Sequence, residues 1–366
     1  MNAGARRPRV LLFAGGPLDR QDTADTQLAA AVAEAVADVD FTWFARRPHR
    51  GGGLPAECGR PVPLAVPHGL PRLVRLPLTA VAGAVVARRV DLVHAVLPVD
   101  DAFPPLSRLW PPLLRGRPVL HTVTGVRDPR LLRRSRPLGR TVAQSEATAG
   151  ELSAAGFGRV PVVPPVVRLE RWPYMPRPSG PTPRVLVVGY DGPHGGAEEA
   201  VMAAGVAVRA GARFRLTLLR PRPGHRPRAD DSSVLALAGR EGLRNVEVLG
   251  HVADMRPLIA SADVVLFMPG VPGIKPEVPM TVLEALSTGR PVILGDDHPQ
   301  FAALGDTVLR APVGDAHRTG HLLRQLLDRP HWWQVLSEQG RARVEDRFGP
   351  RAFAEQYTRI YTELLG

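Results

Sequence analysis

Short apolar runs, each closed by glycine or a polar turn, alternate along the chain with Ala- and Leu-rich stretches of helical spacing. Arg9-Val10-Leu11-Leu12-Phe13 reads as a buried strand ending at Gly15-Gly16, followed by a helix over Thr26 to Ala37 and a strand at Phe41 to Phe44. Leu73 to Arg89 predicts a helix feeding the strand Asp91 to Val96, and Pro118 to Val123 predicts the next strand. Thr141-Val142-Ala143 leads to Ser145, an N-cap for a helix reaching about Ala155, and Val160 to Val167 closes this half. Strands alternating with helices are the signature of an open parallel sheet.

The pattern then breaks and restarts. Trp172 to Arg184 is rich in proline and lacks apolar periodicity, which marks a linker. Arg184 to Gly189 repeats the first strand and runs into the glycine-rich Tyr190 to Gly196 and an Ala-rich helix from Ala197. Phe214 to Leu219, Val246 to Leu249, Ala262 to Phe267 and Val292 to Leu294 predict further strands, and His331 to Leu365 is helical. A strand, glycine turn and helix opening each half point to two Rossmann-like, doubly wound domains. Residues 1–170 are expected to form the first domain, 171–183 a linker, 184–345 the second domain and 346–366 a C-terminal helix.

Composition narrows the classes. The chain has 366 residues, enough for two cores, and one cysteine, Cys58, so no internal disulfide can form. No run reaches the roughly 18 apolar residues of a membrane helix, and the basic start lacks a signal-peptide core. A cytoplasmic protein is expected. The net charge of +12 is almost all arginine, Lys275 being the only lysine, and such a surface attracts phosphates or anionic lipid. Arg127, Arg130, Arg133, Arg134, Arg136 and Arg140 form the densest basic run, which reads as a solvated loop or as a site for a phosphate-bearing acceptor or for peripheral contact with the inner membrane face. With 5% aromatics and no zinc-finger spacing, no nucleic-acid partner is expected. Asp38-Val39-Asp40 reads as a turn and no catalytic metal is expected.

The chemistry concentrates between Lys275 and Ile293. Pro279 suits the first turn of a helix, Gly289 its C′ position, and Pro291 enforces the stop before a strand. The N–H groups at such a helix start, at the ligand edge of an open sheet, favour a diphosphate. Glu277 and Glu284 lie about two helical turns apart, placed to accept hydrogen bonds from sugar or ribose hydroxyls, and Lys275 can neutralise phosphate.

This stretch resembles the donor-binding motif of retaining GT-B glycosyltransferases of the family-4 (group 1) type. Ala143 to Thr148 with Val163-Pro164-Pro165, and Asn245 to Val252 followed by Ala262 to Pro269, resemble other segments of that family in its order. The resemblance implies a GT-B fold: two Rossmann-like domains facing a cleft, with the C-terminal helix crossing back to the first. The implied reaction is metal-independent transfer of a hexosyl unit, with retention, from a UDP- or GDP-sugar to a hydroxyl of a glycan, natural product or lipid-linked sugar, without a further cofactor. Glu284 would hold the donor ribose, Thr281, Val282 and Leu283 would lie near the diphosphate, and Gly250, His251 and Val252 would line the base. Glu277 would face the donor sugar, and Gly15-Gly16 would approach diphosphate and acceptor. The chain departs from the family at three points: Glu277 stands one residue late, Gly189 to Gly196 holds no Arg or Lys, and Thr124 stands where the family has its active-site histidine. His121, three residues earlier, is the substitute candidate. These departures leave a second reading, a catalytically silent homologue that binds or activates a partner.

Overall fold

β1 (Arg9–Ala14) is apolar at every position after Arg9, and all five of those residues are buried, as a strand covered on both faces requires. The computed structural model describes residues 6–19, 23–46, 58–64, 66–67, 70–188, 196–219, 230–250, 252, 254–268, 277–295 and 299–366. They fall into two units, Met1–Val166 with Pro350–Gly366, and Val167–Gly349.

In the first unit β1 is followed by α1 (Ala24–Ala35), β2 (Asp40–Ala45), β3 (Gly59–Pro63), α2 (Arg72–Ala87), β4 (Leu92–Val99) and α3 (Phe103–Leu113). Then come β5 (Val119–Val126), α4 (Pro129–Leu132), β6 (Arg140–Ala143) and α5 (Glu146–Ala154). The six strands are parallel in the order β3-β2-β1-β4-β5-β6, the doubly wound arrangement. Leu76, Ala80 and Ala84 of α2, Phe103, Leu106 and Trp110 of α3, and Leu131 and Leu132 of α4 share one core with a sheet face. Leu28, Ala29 and Val32 of α1 cover the other face. Ser145 caps α5 as the sequence predicts, accepting from the Thr148 N–H at 3.3 Å. Val160 to Val167, read from the sequence as closing this half, forms no strand and meets the sheet through a bridge between Ala143 and Val162.

The second unit runs β7 (Arg184–Val188), α6 (Ala197–Arg209), β8 (Arg215–Leu219), α7 (Asp230–Arg240), β9 (Val246–Leu249) and α8 (Arg256–Ala260). It continues with β10 (Val264–Phe267), α9 (Met280–Ser287), β11 (Val292–Leu294), β12 (Leu309–Arg310), α10 (Ala316–Asp328) and α11 (Pro330–Phe348). Its parallel order, β12-β11-β10-β7-β8-β9, repeats the winding of the first unit. The proline-rich stretch before β7 is fastened to this unit. Arg290 is fully buried and donates to the carbonyls of Met175, Pro176, Ala262 and Thr288. Arg177 pairs with Asp263 at 2.9 Å, and both guanidiniums lie over the Trp333 ring, at 5.4 Å and 5.6 Å.

The predicted C-terminal helical stretch is two helices. α11 ends before Gly349, and α12 (Pro350–Leu365) belongs to the first unit. Phe353, Tyr357, Ile360 and Tyr361 of α12 join the core that α1 covers. His94 of β4 is fully buried there, bridging Tyr361 Oη at 2.7 Å and Thr122 Oγ1 at 2.8 Å.

Candidate functional site

α9 starts at Met280, one residue later than a first-turn Pro279 implies, with Pro279 as the N-cap. Proline has no side chain that can cap, and among the described residues no cap side-chain hydrogen bond is made at this helix start. The Val282 N–H turns back to the Pro279 carbonyl at 3.0 Å, so the first-turn N–H groups of Met280 and Thr281 have no intrahelical acceptor. At the other end Gly289 takes φ +78° as the C′ residue, and the Arg290 N–H reaches back to the Ala285 carbonyl at 2.8 Å. Val278, Val282, Leu283, Ala285 and Leu286 are buried in one cluster, which fixes the helix against the sheet.

That anchoring leaves Thr281 and Glu284 half-buried on the other side of α9. Burial pushes the Glu284 carboxyl up to about 7, with the Arg171 charge opposing the rise. A carboxyl poised at neutrality inside a partly dry site is the kind of group that gains most from hydroxyl donors. Glu277 precedes the helix, and both its carboxylate oxygens are shielded from solvent. Gly250 follows β9, with open space where a side chain would stand. Val252 packs partly into the cluster that holds Val278, Val282 and Leu283, so the end of β9 and the start of α9 share one packed layer. His251 and Lys275 lie outside the described residues.

Gly196, before α6, also sits at this sheet edge. Its φ of +68° and its approach to the Met268 carbonyl leave no room for a Cβ. Glu199, in the first turn of α6, accepts from the Gly314 N–H at 2.8 Å. Its carboxyl is raised by burial and by the Asp315 charge, against the lowering from that N–H. Neither Glu199 nor Arg171 stands out in the sequence; one is an ordinary helix-start acid and the other a linker arginine. Among the described residues, no group of three or more His, Cys, Asp or Glu side chains is placed to hold a metal ion.

The remaining predicted site residues are in the first unit. The Gly15 N–H is taken by Asp25 Oδ2 at 2.9 Å, so it is Gly16, half-buried, that keeps a free approach. Asp25 lies 3.9 Å from Arg72, whose Nε binds Asp100 at 2.5 Å. Arg72 Nη2 is out of solvent without a hydrogen-bond partner, aimed at the space a Gly15 side chain would fill. Nothing in the sequence pattern links Arg72 to that turn. His121 is fully buried in β5, stacked on Phe103 at 4.9 Å, with Nε2 3.2 Å from the Leu97 carbonyl. Burial lowers its pKa to about 4, and no face of the ring is open to a ligand. Thr124, near the end of the same strand, is half-buried.

Residues 182–329 match the sequence model of the family described as glycosyl transferases group 1. Solved structures of similar fold include Anabaena HepE in complex with UDP, with a TM-score of 0.75 and 15% identity over 97% of this chain and 100% of that one. Sucrose-phosphate synthase from Thermosynechococcus elongatus gives 0.73 and 19% over 98% and 99%. AviGT4, a glycosyltransferase involved in avilamycin A biosynthesis, gives 0.59 and 22% over 98% of each chain. No curated protein sequence matches the chain. At these identities the structural likeness is one of fold, and function has to be argued from the site. The chain has the GT-B fold, and residues 182–329, within its second unit, are similar to the group 1 glycosyl transferases.

Proposed function

We propose that the protein transfers a hexosyl unit from a UDP- or GDP-sugar to an acceptor hydroxyl, with retention of anomeric configuration and without a metal. The observation that carries this reading is α9: an uncapped helix start with Glu284 half-buried on its second turn, inside the segment that matches the group 1 family. Glu284 would accept from the ribose hydroxyls, and the Met280 and Thr281 N–H groups would meet the diphosphate. Gly250 leaves room for the base, which His251 and Val252 would line, and Glu277 would face the sugar. HepE has been crystallised with UDP and with UDP-glucose, which favours a uridine donor here.

In the reaction the bond from the anomeric carbon to the diphosphate oxygen breaks, and a bond from that carbon to the acceptor oxygen forms on the same face. The acceptor proton passes to the departing diphosphate. Charge growing on that diphosphate is met by the helix N–H groups and by Lys275, an electrostatic stabilisation aimed at the transition state. Such a route needs no histidine, which suits a chain with Thr124 at the strand end and His121 in the core.

Incubation of the protein with UDP- and GDP-sugars tests the reading by nucleotide release, and the anomeric coupling constant of the product reports stereochemistry. Transfer that persists in EDTA and gives the donor's own anomer supports it. An inverted product removes retention, and dependence on added metal removes metal independence. Nucleotide binding with no turnover would favour the silent homologue, to which the sequence of residues 189–196, without Arg or Lys, already points.

A further inference from the structure

α2 is apolar on both sides. Its inner side, Leu76, Ala80, Gly83 and Ala84, packs on the sheet and on Trp110, whose indole N–H donates to the Ala80 carbonyl at 2.8 Å. Its outer side carries Val74, Leu78, Val81 and Val85, spaced so that all four fall along one line of the helix. α3 packs beside α2 and adds Leu109 and Leu113. These six side chains are 46% to 68% exposed. A helix apolar all round is ordinarily covered on all sides, and a contiguous exposed patch of this kind marks a contact surface.

The border of the patch is cationic. Neither α2 nor α3 contains an acid. Arg88 and Arg89 follow α2, Arg115 and Arg117 follow α3, and Arg133 and Arg134 lie after α4. All six are exposed, and none is paired with a carboxylate among the described residues. Two hydrogen bonds link the arginine-bearing segments: Arg117 Nη2 donates to the Arg88 carbonyl at 3.4 Å, and Arg108 of α3 donates to the Arg134 carbonyl at 3.0 Å. The exposed apolar side chains are all aliphatic, whereas protein–protein hot spots are enriched in Trp and Tyr. An aliphatic stripe rimmed by unpaired arginine matches the acyl boundary and headgroups of an anionic bilayer.

We propose that α2 and α3 form a docking face for an anionic lipid bilayer, with the aliphatic stripe at the acyl boundary and the arginines on the headgroups. The face is distinct from the α9 site and stands whether or not the donor reading does.

Flotation of the full chain with vesicles tests this, comparing phosphatidylcholine alone with an equal mixture of phosphatidylcholine and phosphatidylglycerol. The wild type is expected to float with the mixed vesicles, to stay behind with the neutral ones, and to detach as salt is raised. Leu78→Gln/Val81→Gln/Val85→Gln is expected to weaken partition about tenfold or more. Arg88→Gln/Arg89→Gln is expected to weaken it by about fivefold per residue. All substituted side chains are exposed, and an unchanged melting temperature shows that the fold survives; Leu109→Gln/Leu113→Gln is the second apolar variant if the first does not fold. No flotation with mixed vesicles overturns the proposal, as does flotation that the apolar substitutions leave untouched. A wild-type dimer in solution that the same substitutions convert to monomer would reassign the face to self-association and equally overturn it.

Discussion

Glu284 stores an unfavourable desolvation that a ligand can relieve. Its folded pKa of about 7 lies above the ordinary 4.5, because burial disfavours the carboxylate more than Arg171 supports it. Between those values the folded state binds more protons than the unfolded chain, so stability falls as pH rises from about 4.5 to about 7. Glu284→Gln is expected to melt like the wild type near pH 4.5 and to be more stable above pH 7, by up to about 3 kcal/mol. Donor affinity should move the other way, rising through pH 7 as the carboxylate forms, and titrations at pH 6 and pH 8 check this. His94 and His121 act oppositely. Burial, and for His94 also the nearby His121, lowers their pKa values to about 3 and about 4. Neutral in the fold and protonated when unfolded, they withdraw stability as pH falls below the ordinary 6.5 toward 4. Gly15 has no spare volume: a Cβ there would strike the Asp25 carboxylate and the Arg72 guanidinium. Gly15→Ala is expected to cost about 1–3 kcal/mol in urea unfolding, against little effect for Gly16→Ala, where the nearest atom is Thr26 Cγ2 at 3.7 Å.

The segment before β7 is held by Trp172 packing on the second unit's apolar cluster, by the Arg177–Asp263 pair and by the buried Arg290. Removing the Arg290 guanidinium leaves the Met175 and Pro176 carbonyls without their donor and strips one cation from Trp333. Arg290→Ala is therefore expected to destabilise the second unit by about 3–5 kcal/mol and to open the backbone near residue 175 to protease, read by denaturant unfolding and limited proteolysis. Nothing in the spacing of residues announces this, because Arg290 sits in an apolar stretch and its partners are carbonyls 114 and 115 positions away. What was legible follows from periodicity and punctuation. β1, β7 and β10 are nearly continuous apolar runs, and the glycine after α9 adopts the positive φ its position demands. β3, reading Gly-Arg-Pro-Val-Pro, and α3, with four prolines in eleven residues, carry the composition of loops and escape such reading. Their structure comes from the neighbours: β3 pairs with β2, and α3 is anchored by Trp110 and Phe103, with Pro104 and Pro105 in the first turn. Of the candidate site, α9 and Glu284 were visible from helix stop signals, whereas the burial of His121 depends on Phe103 stacking from an unpredicted helix.

At the scale of the molecule, each sheet closes its two faces with residues of its own unit. The second unit holds all six of its strands and both of its apolar clusters between Val167 and Gly349. A fragment of residues 167–349 is therefore expected to fold cooperatively and to keep nucleotide affinity within about threefold of the full chain. A fragment ending at residue 349 but starting at Met1 should fail differently. It lacks Phe353, Tyr357, Ile360 and Tyr361, so the part of the first sheet's face not covered by α1 is left bare and His94 loses its Tyr361 partner. Aggregation of that fragment, read by light scattering, is the expected outcome.

In the proposed function, the α9 edge of the second unit binds a nucleoside diphosphate through Glu284. Calorimetric titration of UDP and GDP into the wild type and Glu284→Gln, in EDTA at pH 8, tests this binding. One of the two nucleotides should bind the wild type without metal, and Glu284→Gln should weaken that binding about tenfold, the loss of one charged hydrogen bond, while melting at or above the wild-type temperature. Absence of binding by both nucleotides, or binding that Glu284→Gln leaves unchanged, would rule out Glu284 as the nucleotide's anchor.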